Sequence, residues 1–103
     1  MNFIFIYTTN PTKREARKIA KHLLAKKLIA CANIHGPVNS LYPWKGKMAD
    51  ETEYILIAKT IEENFEKVKE EVEKVHSYSI PCIVKIPVSS NKKYFEWVKG
   101  ETR

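Results

Sequence analysis

The stretch Leu28–Thr60 constrains the fold of this chain more than any other. It reads as one long β-hairpin. Leu28–Ile34 is an apolar run of small residues with strand character. Gly36-Pro37 interrupts it, as a bulge or kink would. Leu41-Tyr42-Pro43-Trp44 then resumes an alternation with aromatics at period two. Lys45-Gly46-Lys47 is a turn signal. Tyr54-Ile-Leu-Ile-Ala58 returns as a continuous apolar run, which suits a strand buried on both faces. Arms this long exceed what one small core needs. The far half, with Tyr42 and Trp44, is expected to project, and exposed aromatics gathered in a patch usually mark a partner surface.

The remaining segments fit around this hairpin. Phe3–Tyr7 is uninterrupted apolar and reads as a second doubly buried strand. Asn10-Pro11 offers a helix start, with Asn as cap and Pro in the first turn. Thr12 and Glu15 offer a capping box two residues later. Ala16, Ile19, Ala20, Leu23 and Leu24 form the apolar stripe of this helix. Its other face is basic, with Lys13, Arg14, Arg17, Lys18 and Lys21. After the hairpin, Thr60-Ile61-Glu62-Glu63 reads as a second capping box. It leads a helix whose seam is Ile61, Phe65, Val68, Val72 and Val75. The outer face of that helix is mostly Glu, alternating with Lys67, Lys69 and Lys74, and the two helices could pair their charges, the plain structural reading of both charge runs.

Ile80–Val88 reads as a strand, and Pro81 and Pro87 confine it to an edge. Ser89, Ser90 or Asn91 caps a short last helix carrying Tyr94, Phe95, Trp97 and Val98, which Gly100 ends. The order is βαββαβ with a terminal helix. The predicted class is α+β: a ferredoxin-like sandwich with an extended hairpin between its second and third strands. The two continuous apolar strands take the centre, the broken ones take the edges, and both long helices cover one face.

Composition narrows the function. At 103 residues, residues 1–103 are expected to form a single domain. No apolar run approaches the roughly 20 residues of a membrane helix. The opening Met1-Asn2-Phe3 enters a strand rather than a secretory leader, so a cytoplasmic protein is expected. A net charge of +6 permits anionic partners without requiring them. Glutamine is absent while Lys and Glu abound, the direction in which thermophilic proteins lean. Cys31 and Cys82 are two thiols on opposite edge strands, too far apart for a disulfide.

No phosphate loop, CxxC, HExxH or nucleophile elbow occurs, so no enzyme is indicated. An acylphosphatase-type reading would suit a small basic domain of this class, but its Gly-rich loop with an arginine is missing. The central strands read as aliphatic, not as the aromatic face of an RNA-binding sheet, so no nucleic acid is expected. Of three histidines, His76 stands at a helix end in His76-Ser77-Tyr78-Ser79-Ile80-Pro81-Cys82. There it is either a cap favoured by the helix dipole or a metal or ligand contact.

Several motifs in order resemble the CutA divalent-cation tolerance proteins. They are His76-x-Tyr78-x-x-Pro81, Tyr42-x-Trp44-x-Gly46-Lys47, Glu53 with Lys59-Thr60, and Leu28 to Asn33. The opening strand with Thr8-Thr9 and Pro11 agrees, as does Tyr94-x-x-Trp97. The resemblance implies a ferredoxin-like fold, a tight homotrimer, a cytoplasmic role in tolerance of copper and other divalent metals, and an architecture similar to PII signalling trimers. Many members have Pro where this chain has Ser77. Some bacterial members carry a first-strand Cys and a doubled His, proposed as copper ligands, where this chain has Tyr7 and Val75-His76.

Two readings follow. The leading one is a non-enzymatic homotrimer of metal-ion response. It would bind a metal such as Cu2+, or a small anionic effector, in an inter-subunit cleft of Tyr42, Trp44, Glu53, Lys59, His76 and Tyr78, with His76 as the candidate metal ligand. The other is a PII-like effector-binding regulator, whose anion site would draw on Lys59 and the Lys45/Lys47 turn. In either case Glu53 and Lys59 could instead form a buried ion pair.

Overall fold

The computed structural model describes residues 2–102. Strand β1 spans Phe3–Asn10, helix α1 Lys13–Ala25, strand β2 Cys31–Trp44, strand β3 Lys47–Ile61, helix α2 Phe65–Val75, strand β4 Val84–Val88 and helix α3 Lys92–Glu101. The strands form one antiparallel sheet in the order β2-β3-β1-β4. This is the α+β ferredoxin-like arrangement, with the two continuous apolar strands at the centre and the Pro-containing β4 at an edge.

Alternation along the strands sorts the two faces of the sheet. Ile4 and Ile6 of β1 and Leu56 and Ala58 of β3 point to the helices. There they meet Ile19 and Leu23 of α1 and Val68 and Val72 of α2 in one buried core. The opposite face carries Phe3, Phe5 and Tyr7 with Lys59 and Ile57 from β3 and Ile86 and Val84 from β4, as the register requires. The aliphatic reading of the central strands is therefore corrected for β1: its second face is aromatic. An unbroken apolar run gives no phase, so the sequence could not assign it. Helix α3 covers only one end of this face, where Tyr94 and Phe95 lie with ring centroids 6.0 Å from that of Phe3. Val84 and Ile86 remain exposed.

The hairpin is as long as expected, and the described residues span 45 Å along their longest axis. Its turn is Lys45-Gly46, with φ of 50° and 79°. Two central residues at positive φ make the tight connection whose twist matches that of the strands. A register shift falls between His35 and Val38, at Gly36-Pro37. Beyond it the arm stands clear of the core: Leu41 is 63% and Met48 71% exposed.

Four local expectations differ. Helix α1 is capped by Thr12, whose Oγ1 accepts the Glu15 amide at 3.0 Å, rather than by Asn10. Asn10 is instead a buried residue of β1, which runs three residues beyond Tyr7, and its amide donates to the Tyr54 carbonyl. The second capping box does not form. Thr60 ends up inside β3, where Oγ1–H donates to the Leu28 carbonyl at 2.6 Å, and a 3-10 turn over Glu62–Asn64 leads into α2. Residues 80–83 lie outside β4, and Cys82 sits before that strand rather than on it. The helix charges pair at one end only. His22 and Lys26 approach Glu71, while Lys13, Arg14, Arg17, Lys18 and Lys21 meet no carboxylate within ion-pair distance among the described residues.

Candidate functional site

The site lies where the hairpin arm leaves the sheet. Beyond the Gly36 bulge, β3 carries Glu51 and Glu53 on one face, two residues apart. The segment after α2 brings Tyr78 and Cys82 to them, and the arm adds Tyr42 and Trp44. Together with Thr9 at the end of β1, these residues line a cleft of about 650 Å³. A larger hollow of about 880 Å³ follows the basic face of α1, but every cation along it is exposed and none is held in place by a partner among the described residues. The smaller cleft holds the ordered chemistry.

Glu53 is only 5% exposed. Its Oε2 accepts the Tyr78 hydroxyl at 2.7 Å. Burial, and then the hydrogen bond and charge of Glu53, push the Tyr78 phenol above its ordinary value, so it stays a protonated donor. The Cys82 thiol is also pushed up, first by burial and then by Glu53. It is therefore held as the thiol, the form that is poor both as nucleophile and as metal ligand.

His76 positions this loop. Its side chain is 0% exposed. Nε2 lies 2.8 Å from the Thr9 carbonyl, which can only accept, so Nε2 carries the proton. Nδ1 accepts the Tyr78 amide at 3.0 Å. The imidazole is thus the neutral Nε2–H tautomer with both nitrogens used. Its ring packs on Tyr78 at 4.7 Å between centroids. Glu15 Oε2 lies 3.4 Å from Nδ1 and accepts the Ser77 amide and hydroxyl, fastening the same segment to α1.

Of the six site residues expected from sequence, the fold gathers Tyr42, Trp44, Glu53 and Tyr78 around the cleft, with His76 behind them. Lys59 is not among them. It shares a face of β3 with Glu53 but lies six residues along, about 20 Å away, so the two form no ion pair. Its Nζ sits 5.5 Å from the Phe5 ring centroid and 5.7 Å from that of Tyr94. Sequence reasoning missed Glu51 and Cys82 as cleft residues. The period-two spacing of Glu51 and Glu53 was a usable signal, whereas Cys82 enters through an irregular segment that no periodicity marks. The residues do not fit a metal centre. No three His, Cys, Asp or Glu side chains converge as a ligand set among the described residues, and His76 has no free lone pair.

The profile of the CutA1 divalent ion tolerance protein family matches residues 4–101. The chain belongs to that family. It is 46% identical over 95 residues to the divalent-cation tolerance protein CutA of Archaeoglobus fulgidus, covering 91% of this chain and 92% of that one. It is 39% identical over 101 residues to the CutA of Pyrococcus horikoshii, covering 97% and 98%. The structure of the periplasmic divalent cation tolerance protein CutA from Archaeoglobus fulgidus superposes with a TM-score of 0.95 at 43% identity, covering 98% of this chain and 99% of that one. CutA1 from Oryza sativa does so with a TM-score of 0.96 at 36% identity, covering 100% and 95%. A related CutA of Arabidopsis thaliana, 36% identical over 101 residues, is chloroplastic; the match covers 97% of this chain and 56% of that protein. Compartment therefore varies within the CutA family while the fold does not.

Proposed function

We propose that this CutA protein acts without catalysis, as a cytoplasmic homotrimer in the cell's response to divalent metal ions, and that the Glu53–Tyr78 cleft is its effector site. One observation carries the reading. The arm and the uncovered sheet face present Leu41, Trp44, Met48, Val84 and Ile86 to solvent in a chain whose two edge strands are also unpaired. Exposed apolar area of this kind, joined to open strand edges, is what subunit contacts cover. Three copies packing these faces inward would bury it, and each arm would then lie beside a neighbour's cleft. No helix among the described residues is long and apolar enough to cross a membrane. Cys31 and Cys82 are unpaired, which suits a reducing compartment.

The test has two parts. Sedimentation at micromolar concentration gives three chain masses if the reading holds, and a monomer refutes the assembly. Cells lacking the gene are then challenged with copper. Restored tolerance with the wild-type chain, and none with a Trp44→Ala, Tyr78→Phe chain that is present at equal level and still trimeric, is the expected outcome. Full tolerance with that variant removes the cleft from the function.

A further inference from the structure

Helix α1 carries a block of charge that the fold does not compensate. Five of the chain's 18 Lys and Arg residues fall within positions 13–21. At 3.6 residues per turn, Lys13, Arg14, Arg17, Lys18 and Lys21 occupy about 140° of the helix, and all five are exposed. None meets a carboxylate within ion-pair distance among the described residues. Glu15 is the one acid of this helix, and its Oε2 is taken by the Ser77 amide and hydroxyl at 3.0 and 2.9 Å.

Helix α2 shows the contrast. Its charges pair along the helix, Lys69 with Glu66 at 2.8 Å and Lys74 with Glu71 at 3.1 Å. Interspersed charge of that kind serves solubility. On α1 the neighbours are alike instead. Lys13 and Arg17, Arg14 and Lys18, and Arg17 and Lys21 stand four residues apart, where like charges repel and destabilise a helix. A partner with many negative charges relieves that repulsion.

The lining of the face selects the partner. The hollow of about 880 Å³ along these cations is completed by Thr12, Val75 and Ser77. Among the described residues that line it, none is aromatic and only Val75 is apolar. Unpaired bases would find no stacking platform there, a bilayer no apolar wedge, and a folded protein no pocket for an anchoring side chain. Contact is left to charge and hydrogen bonds. Arg14 and Arg17 carry the planar forks that match phosphate oxygens in pairs. Lys13, Arg17 and Lys21 follow one another every ~6 Å over about 12 Å of helix. A nucleic-acid duplex carries about seven phosphates on its two strands over that length.

We propose that the outer face of α1 binds the phosphodiester backbone of double-stranded nucleic acid without reading its sequence. The expectation of no nucleic acid came from the strands, whereas these cations stand on the helix layer. The contact is separate from the Glu53–Tyr78 cleft. Three sheets packed inward would leave three such helix faces open to solvent.

The experiment is fluorescence anisotropy of a labelled DNA duplex titrated with the purified protein, from about 50 to about 200 mM NaCl. Engagement of about three to five phosphates makes the logarithm of affinity fall with that of salt at a slope of about −3 to −4.5. A DNA duplex of unrelated sequence and an RNA duplex are expected to bind within about three-fold of the first, because phosphate contacts carry no sequence. Arg17→Gln with Lys18→Gln, at exposed positions, is expected to weaken binding at least ~10-fold at about 100 mM NaCl and to reduce the slope by about two. Lys92→Gln with Lys93→Gln removes the same charge from the exposed start of α3 and is expected to change affinity less than ~3-fold. No saturable binding at the lowest salt, a slope shallower than about −1, or equal loss in the α3 variant overturns the proposal. So does a preference above ~10-fold between any two of the three duplexes. Stronger competition by poly-glutamate or by phosphatidylserine vesicles at equal charge also overturns it, and assigns the face to an acidic protein segment or to a membrane.

Discussion

Removing the Tyr78 hydroxyl isolates the contact on which the cleft is built. Tyr78→Phe keeps the ring and its packing on His76, and deletes only the donor to Glu53. A hydrogen bond to a charged group contributes about 1.5–3 kcal/mol to stability. Tyr78 is half-buried and Glu53 nearly fully so, so the lower end applies, about 1.5 kcal/mol. With a urea dependence of roughly 1.5 kcal/mol per molar, the unfolding midpoint falls by about 1 M at fixed protein concentration. The alkaline limb gives an independent reading. Folding raises the phenol above its ordinary 10.0, chiefly by burial and then by Glu53. The folded state thus holds the proton more tightly than the unfolded one. The stabilisation is complete below pH 10 and is lost as pH rises through the higher folded value. Wild type should therefore lose stability above pH 10 more steeply than Tyr78→Phe. A double-mutant cycle with Glu53→Gln closes the argument. Coupling below about 0.5 kcal/mol, together with superimposable alkaline limbs, would refute it.

Three further substitutions test the frame around the cleft. Gly36 has φ of +149°, and a Cβ there would meet Tyr54 Cδ2 at 2.8 Å and the Glu53 carbonyl at 3.1 Å; Gly36→Ala should cost about 3 kcal/mol by thermal unfolding, whereas Gly100→Ala, which meets nothing, should not destabilise. Thr12→Ala removes the α1 cap and should cost about 1 kcal/mol, with Thr12→Ser restoring most of it. The Glu71 carboxylate is held below its ordinary 4.5, first by the hydrogen bond from His22 and then by Lys74. Its contribution is present above that value and lost as pH falls through the lower folded one. Glu71→Gln should flatten the acid limb of a stability-versus-pH curve below pH 4.5, and an unchanged limb would contradict the assignment.

The fold was legible because its two central strands are written as unbroken apolar runs and its edges carry Gly or Pro. What the sequence hid was decided by contacts far apart in the chain. Asn10 looked like a cap, but its amide reaches Tyr54, and the strand keeps it. Thr60 looked like another, but its hydroxyl is consumed by Leu28. For the site, the motif residues were visible and their roles were not. Lys59 shares the strand face of Glu53, which periodicity shows, while the distance along the strand is what separates them. The state of His76 depends on a carbonyl 67 residues away, Thr9, which no local pattern reveals.

That carbonyl also decides how His76 meets copper. A metal needs an imidazole lone pair, and here Nδ1 has given its own to the Tyr78 amide while Nε2–H is fixed on Thr9. Ligation through either nitrogen must first break one of these bonds inside a side chain that water does not reach. A lost buried hydrogen bond costs about 1–3 kcal/mol, or roughly 5- to 150-fold in affinity, before any gain from coordination. Cys82 compensates poorly, because ligation would first have to remove a proton that burial and then Glu53 hold more tightly than usual. Copper titrated into the purified protein should therefore bind no more tightly than micromolar. His76→Ala should leave that affinity within about two-fold while loosening the Tyr78 segment, seen as faster exchange of the Tyr78 amide. Sub-micromolar copper binding abolished by His76→Ala would show that the imidazole is a ligand after all, and that the hydrogen bonds to Thr9 and Tyr78 yield to the metal.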